Sequence, residues 1–238
     1  MTGTPLAIIG MGKMGRALVD LAGAHGFTVV AMLDRAHPVI RESLAGAAVA
    51  IEFSTPESAV ANILACIATG CPVVVGTTGW YDAMPRVRAE VDRAGGTLLY
   101  APNFSLGVAI FDRVVAEAAR LFGSAGFSGH LVETHHAAKK DAPSGTAASL
   151  ARTVEAASNT PMPITSVRVG SVPGTHEVIF DSPFEQVRLV HEARDRRVFA
   201  DGALAAATWL IDGGRGQRRG VFTMQDIIST PVSASHHQ

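Results

Sequence analysis

Six consecutive residues, Gly10-Met11-Gly12-Lys13-Met14-Gly15, constrain the fold of this chain more than any other stretch. They follow a short apolar run at 6–9 and precede an amphipathic segment ending near Gly26, so a Gly-x-Gly-x-x-Gly motif stands between an expected strand and an expected helix. In that context the glycines permit a tight turn, let a pyrophosphate approach backbone N–H groups, and seat it on the positive end of the helix. A second strand is expected at 28–33 and ends at Asp34. A carboxylate there, about twenty residues past the glycines, accepts hydrogen bonds from adenosine ribose hydroxyls. Arg35 follows it, and a guanidinium at that position suits a 2′-phosphate, so NADH and NADPH are both expected as cofactors.

Three more strand-like runs follow at 49–53, 72–75 and 97–101, with helices beginning near Pro56 and Asp82. This alternation predicts an α/β domain, a Rossmann-like doubly wound parallel sheet. The loops after these strands are Ser54-Thr55-Pro56, Gly76-Thr77-Thr78-Gly79 and Ala101-Pro102-Asn103-Phe104-Ser105. Ligands of such sheets bind beyond the carboxyl ends of the strands, so the nicotinamide end of the cofactor is expected at Gly76, Thr77, Thr78, Ala101, Pro102, Asn103 and Phe104.

The second half has a different rhythm. A helix at 106–122 and a strand at 128–133 are followed by a helix to about 157, strands at 164–169, 176–181 and 185–193, and a helix at 198–211. Without regular βα alternation, this predicts an α+β substrate-binding domain with a mixed or antiparallel sheet and helices on one face. The expected division is 1–105 with 212–238 for the dinucleotide domain and 106–211 for the second. The chain would then cross between domains near Ser105 and again at 211–214, where Gly213 and Gly214 offer a hinge.

The densest chemistry lies in Glu133-Thr134-His135-His136-Ala137-Ala138-Lys139-Lys140-Asp141-Ala142-Pro143-Ser144-Gly145-Thr146-Ala147. Two imidazoles and two ammonium groups precede a turn in which Ser144 is placed to cap a helix opened by Gly145 and Thr146. First-turn amides and the helix dipole suit a carboxylate or phosphate. Only three of the 20 basic residues are lysines, and they are Lys13, Lys139 and Lys140. An arginine does not give up its proton, so a cationic proton donor in this stretch is a lysine. Arg168 and the turn from Pro173 to His176 are placed to reach the site, or equally to support a hairpin. Adjacent histidines point apart in extended chain and no third ligand stands at a recognisable spacing, so no metal is expected.

A formal charge of −1 leaves no basic footprint for nucleic acid. No run of about eighteen apolar residues and no basic leader occurs, so a soluble, cytoplasmic protein is expected. Cys66 and Cys71 fall in apolar surroundings and are expected as buried thiols.

With these residues in view the chain resembles the 4-hydroxy-tetrahydrodipicolinate reductase (dihydrodipicolinate reductase) family over nearly its whole length. The resemblance rests on Glu133-x-His135-His136-x-x-Lys139-x-Asp141-Ala142-Pro143-Ser144-Gly145-Thr146-Ala147, with Gly76-Thr77-Thr78-Gly79, Asn103-Phe104-Ser105 and the glycine loop. It implies hydride transfer from NADH or NADPH to a cyclic dicarboxylate, giving tetrahydrodipicolinate with loss of water in lysine and diaminopimelate synthesis. It further implies His135 as proton donor or acceptor and Lys139 as proton donor, with His136, Ser144 and the amides of Gly145 and Thr146 holding substrate. A homotetramer built through the sheets of the second domain is also implied. The glycine loop lacks a residue that some members insert, and the loop between Arg168 and Pro173 is short, both bearing on cofactor preference. Two other readings stay open. An amino-acid dehydrogenase such as aspartate dehydrogenase would need one carboxylate clamp and an ammonium site, whereas the basic motif here seeks a dianion. A dinucleotide-sensing regulator would have no use for paired His and Lys beside a helix N-terminus.

Overall fold

In the computed structural model, residues 3–44, 46–212 and 218–229 are described, and the chain divides into two units, Met1–Leu106 with Arg197–Gln238, and Gly107–Arg196. The first unit is built on six parallel strands, β1 (Thr4–Ile9), β2 (Phe27–Leu33), β3 (Val49–Glu52), β4 (Val73–Val75), β5 (Thr97–Tyr100) and β10 (Gly220–Phe222). Their order across the sheet is β10-β5-β4-β3-β1-β2, so strand order reverses between β1 and β3. That reversal opens a crevice at the carboxyl ends of β1 and β3, where the loop glycines lie.

Strands buried on both faces have near-continuous apolar sequences, as β3 and β4 do. Ala7, Ile9, Ala50, Val73, Val75 and Leu98 form one core with Ala59, Ile63, Cys66 and Ile67 of α2 (Pro56–Thr69) and Val87 and Val91 of α3 (Met84–Ala94). Alternate residues Leu6, Ile8, Val49 and Ile51, all buried, point to the opposite face by the pleat of the strand. That side is covered by α1 (Lys13–Ala22) and by α6 (Arg197–Ile211), which packs on α1 and on β3, β4 and β5.

The placement of α6 corrects the expected boundary. The helix at 198–211 was assigned with 106–211 to the second domain, yet it belongs to the first unit, and the second crossing falls at Arg196 and Arg197 rather than at 211–214. Its small residues explain this: Ala200, Gly202, Ala203, Ala206 and Ala207 are buried, and a Cβ on Gly202 would stand 1.7 Å from the Phe104 carbonyl oxygen. Gly213 and Gly214, the proposed hinge, lie outside the described residues.

The second unit is a four-stranded sheet in the order β7-β6-β8-β9, from β6 (Ser128–His135), β7 (Ile164–Arg168), β8 (Thr175–Asp181) and β9 (Gln186–Glu192). Only β6 and β7 are parallel, so the sheet is mixed. Val115 and Ala119 of α4 (Leu106–Ser124) and Leu150, Ala151 and Val154 of α5 (Gly145–Ser158) close over Leu131, Val178 and Phe180. Strand β6 extends two residues beyond the expected 128–133. Glu133 and His135 are therefore on its inward face, and only the residues from His136 onward form the trailing loop.

Candidate active site

In the first unit the glycines divide their labour. Gly10 takes φ +98°, and a Cβ there would stand 2.1 Å from the Phe53 carbonyl oxygen, so the β1 and β3 loops touch backbone to backbone. A Cβ on Gly15 would stand 2.1 Å from the Gly10 carbonyl oxygen, so this glycine is required for close helix–strand packing. At Gly12 a Cβ would meet nothing within 4 Å, so no protein packing accounts for a missing side chain there. The space in front of Gly12 fits a pyrophosphate approaching the backbone.

Two clefts open on either side of this point. One, of about 360 Å³, is lined by Gly10, Met11, Gly12, Asp34, Arg35, His37, Phe53, Ser54, Thr55 and Asn62 among others. The acidic Asp34 and the basic Arg35 are both present in its lining. The other is lined by Gly12, Lys13, Met14, Phe53, Ser54, Pro56, Gly76, Thr77 and Thr78. The expected loops thus converge, with Ser54 N–H donating to Thr77 Oγ1 at 2.8 Å. Buried Glu52 ties the same corner together, accepting from Ser54 N–H at 3.1 Å and Asn62 Nδ2 at 3.3 Å. Ala101, Pro102, Asn103 and Phe104 line neither cleft, and Phe104 is buried with its ring centroid 5.8 Å from that of Phe53. One residue that the sequence did not flag is His37, whose Nδ1 lies 2.8 Å from Asp34 Oδ1. This bond, with the Ala36 N–H at 2.9 Å on the same oxygen, holds the Asp34 carboxyl below its usual range.

In the second unit the chemistry centres on Glu133, which is fully buried. Its Oε2 pairs with His135 Nδ1, while its Oε1 accepts from Arg168 Nη2 at 2.7 Å and from the Ser144 N–H at 3.3 Å. Burial alone would raise its pKa, but hydrogen bonds from Arg168, Ser166 and His135 outweigh that and bring it down to about 2. The guanidinium also donates to the Asp141 carbonyl at 2.6 Å, so Arg168 fastens the loop that carries Lys139. Of the two roles open for Arg168 from the sequence, the structure brings it to the motif.

Ser144 caps α5 as expected, accepting from Ala147 N–H at 3.1 Å. Its Oγ also pairs with His176 Nε2 at 3.3 Å, which draws the β8 strand into the site. His176 stands opposite Glu133 in the β6–β8 register, and its ring meets that of His135 edge-on at 5.3 Å. Burial, with nearby His135 and His191, pushes its pKa down to about 4, and burial likewise lowers His135 against the pull of Glu133. Lys139 Nζ lies 2.8 Å from Asp141 Oδ1, and Lys140 is exposed beside it. Half-buried His136 accepts the Lys139 N–H through its carbonyl at 3.1 Å. Gly145 and Thr146 form the first turn of α5. The residues expected to handle substrate therefore fall on the last residue of β6, His135, and on the loop and helix start that follow it. Glu133 was the member the sequence left without a role, since a polar residue at an inward strand position shows its purpose only once its neighbours are placed. For His176, read as reaching the site or supporting a hairpin, the structure gives contact with Ser144 and His135.

A doubly wound sheet whose Gly12 leaves room for a ligand, joined in one chain to an α+β unit carrying buried imidazoles and a lysine-bearing loop that leads into a capped helix, defines a class: dinucleotide-dependent oxidoreductases of two units. Family models described as "Dihydrodipicolinate reductase, N-terminus" and "Dihydrodipicolinate reductase, C-terminus" match residues 4–104 and 107–228. A 4-hydroxy-tetrahydrodipicolinate reductase of Christiangramia forsetii is 34% identical, over 94% of this chain and 97% of that protein. One of Stenotrophomonas maltophilia is 37% identical, over 96% of this chain and all of that protein. The fold is that of a dihydrodipicolinate reductase from Paenisporosarcina sp. TG-14 solved with dipicolinate, at TM-score 0.77 and 21% identity, covering 95% of this chain and 100% of that one. The chain belongs to the dihydrodipicolinate reductase family. It is accordingly an oxidoreductase that uses a nicotinamide cofactor. Among the described residues no helix is long and apolar enough to cross a membrane.

Proposed function

We propose that the chain reduces 4-hydroxy-tetrahydrodipicolinate to tetrahydrodipicolinate, and that the residues anchored by Glu133 handle the substrate. The observation that supports this most strongly is the meeting of His135, Arg168 and the Ser144 amide on one buried carboxylate, with Arg168 also fastening the loop that carries Lys139, in a member of this family. When bound, the nicotinamide supplies a hydride. The chain supplies the rest: Lys139 delivers a proton, His135 gives or takes one, and His136, Ser144, Gly145 and Thr146 hold the carboxylates, aided by the positive end of the α5 dipole.

For the cofactor, Gly10, Met11, Gly12, Lys13, Met14 and Gly15 are the pyrophosphate seat. Asp34 takes the ribose hydroxyls of NADH and Arg35 the 2′-phosphate of NADPH, so both serve. Gly76, Thr77 and Thr78 meet the nicotinamide end, with Ala101, Pro102, Asn103 and Phe104 shaping that corner from behind. The enzyme works in the cytoplasm as a homotetramer joined through the sheet of the second unit, which light scattering coupled to size exclusion tests directly.

The substrate half of this assignment is tested by calorimetric titration, in the presence of NADH, of pyridine-2,6-dicarboxylate and pyridine-2-carboxylate. The dicarboxylate is expected to bind at least tenfold more tightly, about the worth of one charged hydrogen bond. Equal affinity for the two would contradict a site built for a dianion.

A further inference from the structure

Glu133 is held by Arg168, Ser166, His135 and the Ser144 amide and has no exposure to solvent. A carboxylate only accepts hydrogen bonds, so each neighbour must present a proton to it. Arg168 and the Ser144 amide share Oε1, and His135 faces Oε2 through Nδ1. The imidazole proton is then on Nδ1, and Nε2 carries the lone pair. Along the Nε2 edge lies Gly174, where a Cβ would stand 3.0 Å from that nitrogen, so any other residue would crowd it. The other charged or titratable groups that act on this imidazole are Lys139, Arg168 and His176.

We infer that Glu133 is the positioning residue of this site: one oxygen fixes the His135 proton on Nδ1 and leaves Nε2 as the acceptor edge, while the other locks that ring to the N-terminus of α5 and to Arg168. This rests on the functional reading given above and sharpens it. With Nε2 bare, His135 in the resting enzyme accepts and does not donate, and Lys139 is left as the donor. The pKa of Glu133, held near 2, keeps the carboxylate ionised at every working pH.

The substitution that separates positioning from bulk structure is Glu133→Gln. The amide has one acceptor oxygen, and two donors, Arg168 and the Ser144 N–H, compete for it on the Oε1 side. Its NH2 group is then turned toward His135 Nδ1, which must accept, and the imidazole proton moves to Nε2. The experiment is nitrogen-15 NMR of the histidine rings in wild type and Glu133→Gln, with the His135 signals assigned by their loss in His135→Gln, alongside steady-state kinetics. Wild type is expected to show the Nδ1–H tautomer. The variant is expected to show Nε2–H, with kcat down by about 10² to 10⁴, the range seen when a catalytic imidazole loses its orienting carboxylate, and with KM changed far less. An Nε2–H tautomer in wild type overturns the inference even if the variant does not fold. A folded variant with either the wild-type tautomer or the wild-type kcat overturns it as well. The ring spectrum is read without turnover, so a wild-type protein that shows the Nδ1–H tautomer yet fails to reduce the substrate would sink the proposed reaction and leave the tautomer assignment intact.

Discussion

Removing the ring of His176 should make the second unit less sensitive to acid. His176 is buried opposite Glu133, and its pKa falls from the ordinary 6.5 to about 4 because burial and the neighbouring imidazoles disfavour its charged form. Above pH 6.5 neither the folded nor the unfolded imidazole holds the extra proton, and the group has no effect on stability. Between pH 6.5 and 4 the unfolded chain binds the proton and the folded chain does not, so stability falls as pH falls, and the loss is complete below about 4. The full displacement corresponds to about 3 kcal/mol. Glu133 acts with the same sign in a lower window: its contribution is present above 4.5 and is lost as pH falls toward 2. Because Glu133, His135 and His191 titrate in both proteins, the difference between wild type and His176→Gln over neutral pH to pH 4 isolates this histidine. Both tryptophans and both tyrosines, Trp80, Trp209, Tyr81 and Tyr100, lie in the first unit, so fluorescence would miss the event. Hydrogen exchange read by mass spectrometry on peptides covering β6 and β8, corrected for intrinsic exchange, reports it locally. Wild type should lose about 3 kcal/mol more protection between neutral pH and pH 4 than His176→Gln, whose amide can still reach Ser144. Parallel losses in the two proteins would refute the claim that His176 is held uncharged by its surroundings.

Other substitutions address the chemistry and the cofactor seat. Lys139→Ala and His135→Ala should each lower kcat by about 10² to 10⁴ with little change in cofactor affinity, whereas His136→Ala should mainly raise KM for the substrate. Steady-state constants showing the exchanged pattern would reverse those roles. Arg35→Ala should weaken NADPH by about 1 to 3 kcal/mol and leave NADH nearly unchanged, and calorimetry showing equal losses would place Arg35 away from the 2′-phosphate. Gly12→Val should fold normally, since a Cβ there meets nothing, and lose cofactor binding. Gly15→Ala should lower the melting temperature, since its Cβ would press on the Gly10 carbonyl. A Gly12→Val protein with unimpaired cofactor affinity in a fluorescence titration would remove the pyrophosphate from that loop.

Much of the first unit was legible because its signals are local. Gly-x-Gly-x-x-Gly, the apolar runs of β1, β3 and β4, and the acidic end of β2 each announce a strand, a turn or a helix without reference to distant residues. The motif around His135 was legible for the same reason, as Ser144 and Gly145 mark a helix start wherever they fall. What escaped was tertiary. The apolar, alanine-rich pattern of α6 says that the helix is buried but not against which sheet, and the answer lies in the fit of Gly202 to the Phe104 carbonyl. Strand β6 ran two residues beyond the expected end at Glu133, through Thr134 and His135, because His135 is polar at an inward position, where periodicity asks for an apolar side chain, as Glu133 is before it. Their burial is tolerated because Arg168, Ser144 and His176 meet them from β7, α5 and β8, partners that no sequence spacing reveals.

The account turns on one reaction, and the direct measurement is the oxidation of NADH and of NADPH followed spectrophotometrically while dihydrodipicolinate synthase generates the substrate in place. Wild type is expected to consume both cofactors only when the synthase product forms, and Lys139→Ala to slow that consumption by at least about 10². Cofactor consumption that ignores the synthase product, or a Lys139→Ala protein as fast as wild type, would contradict the assignment of this site to that reduction.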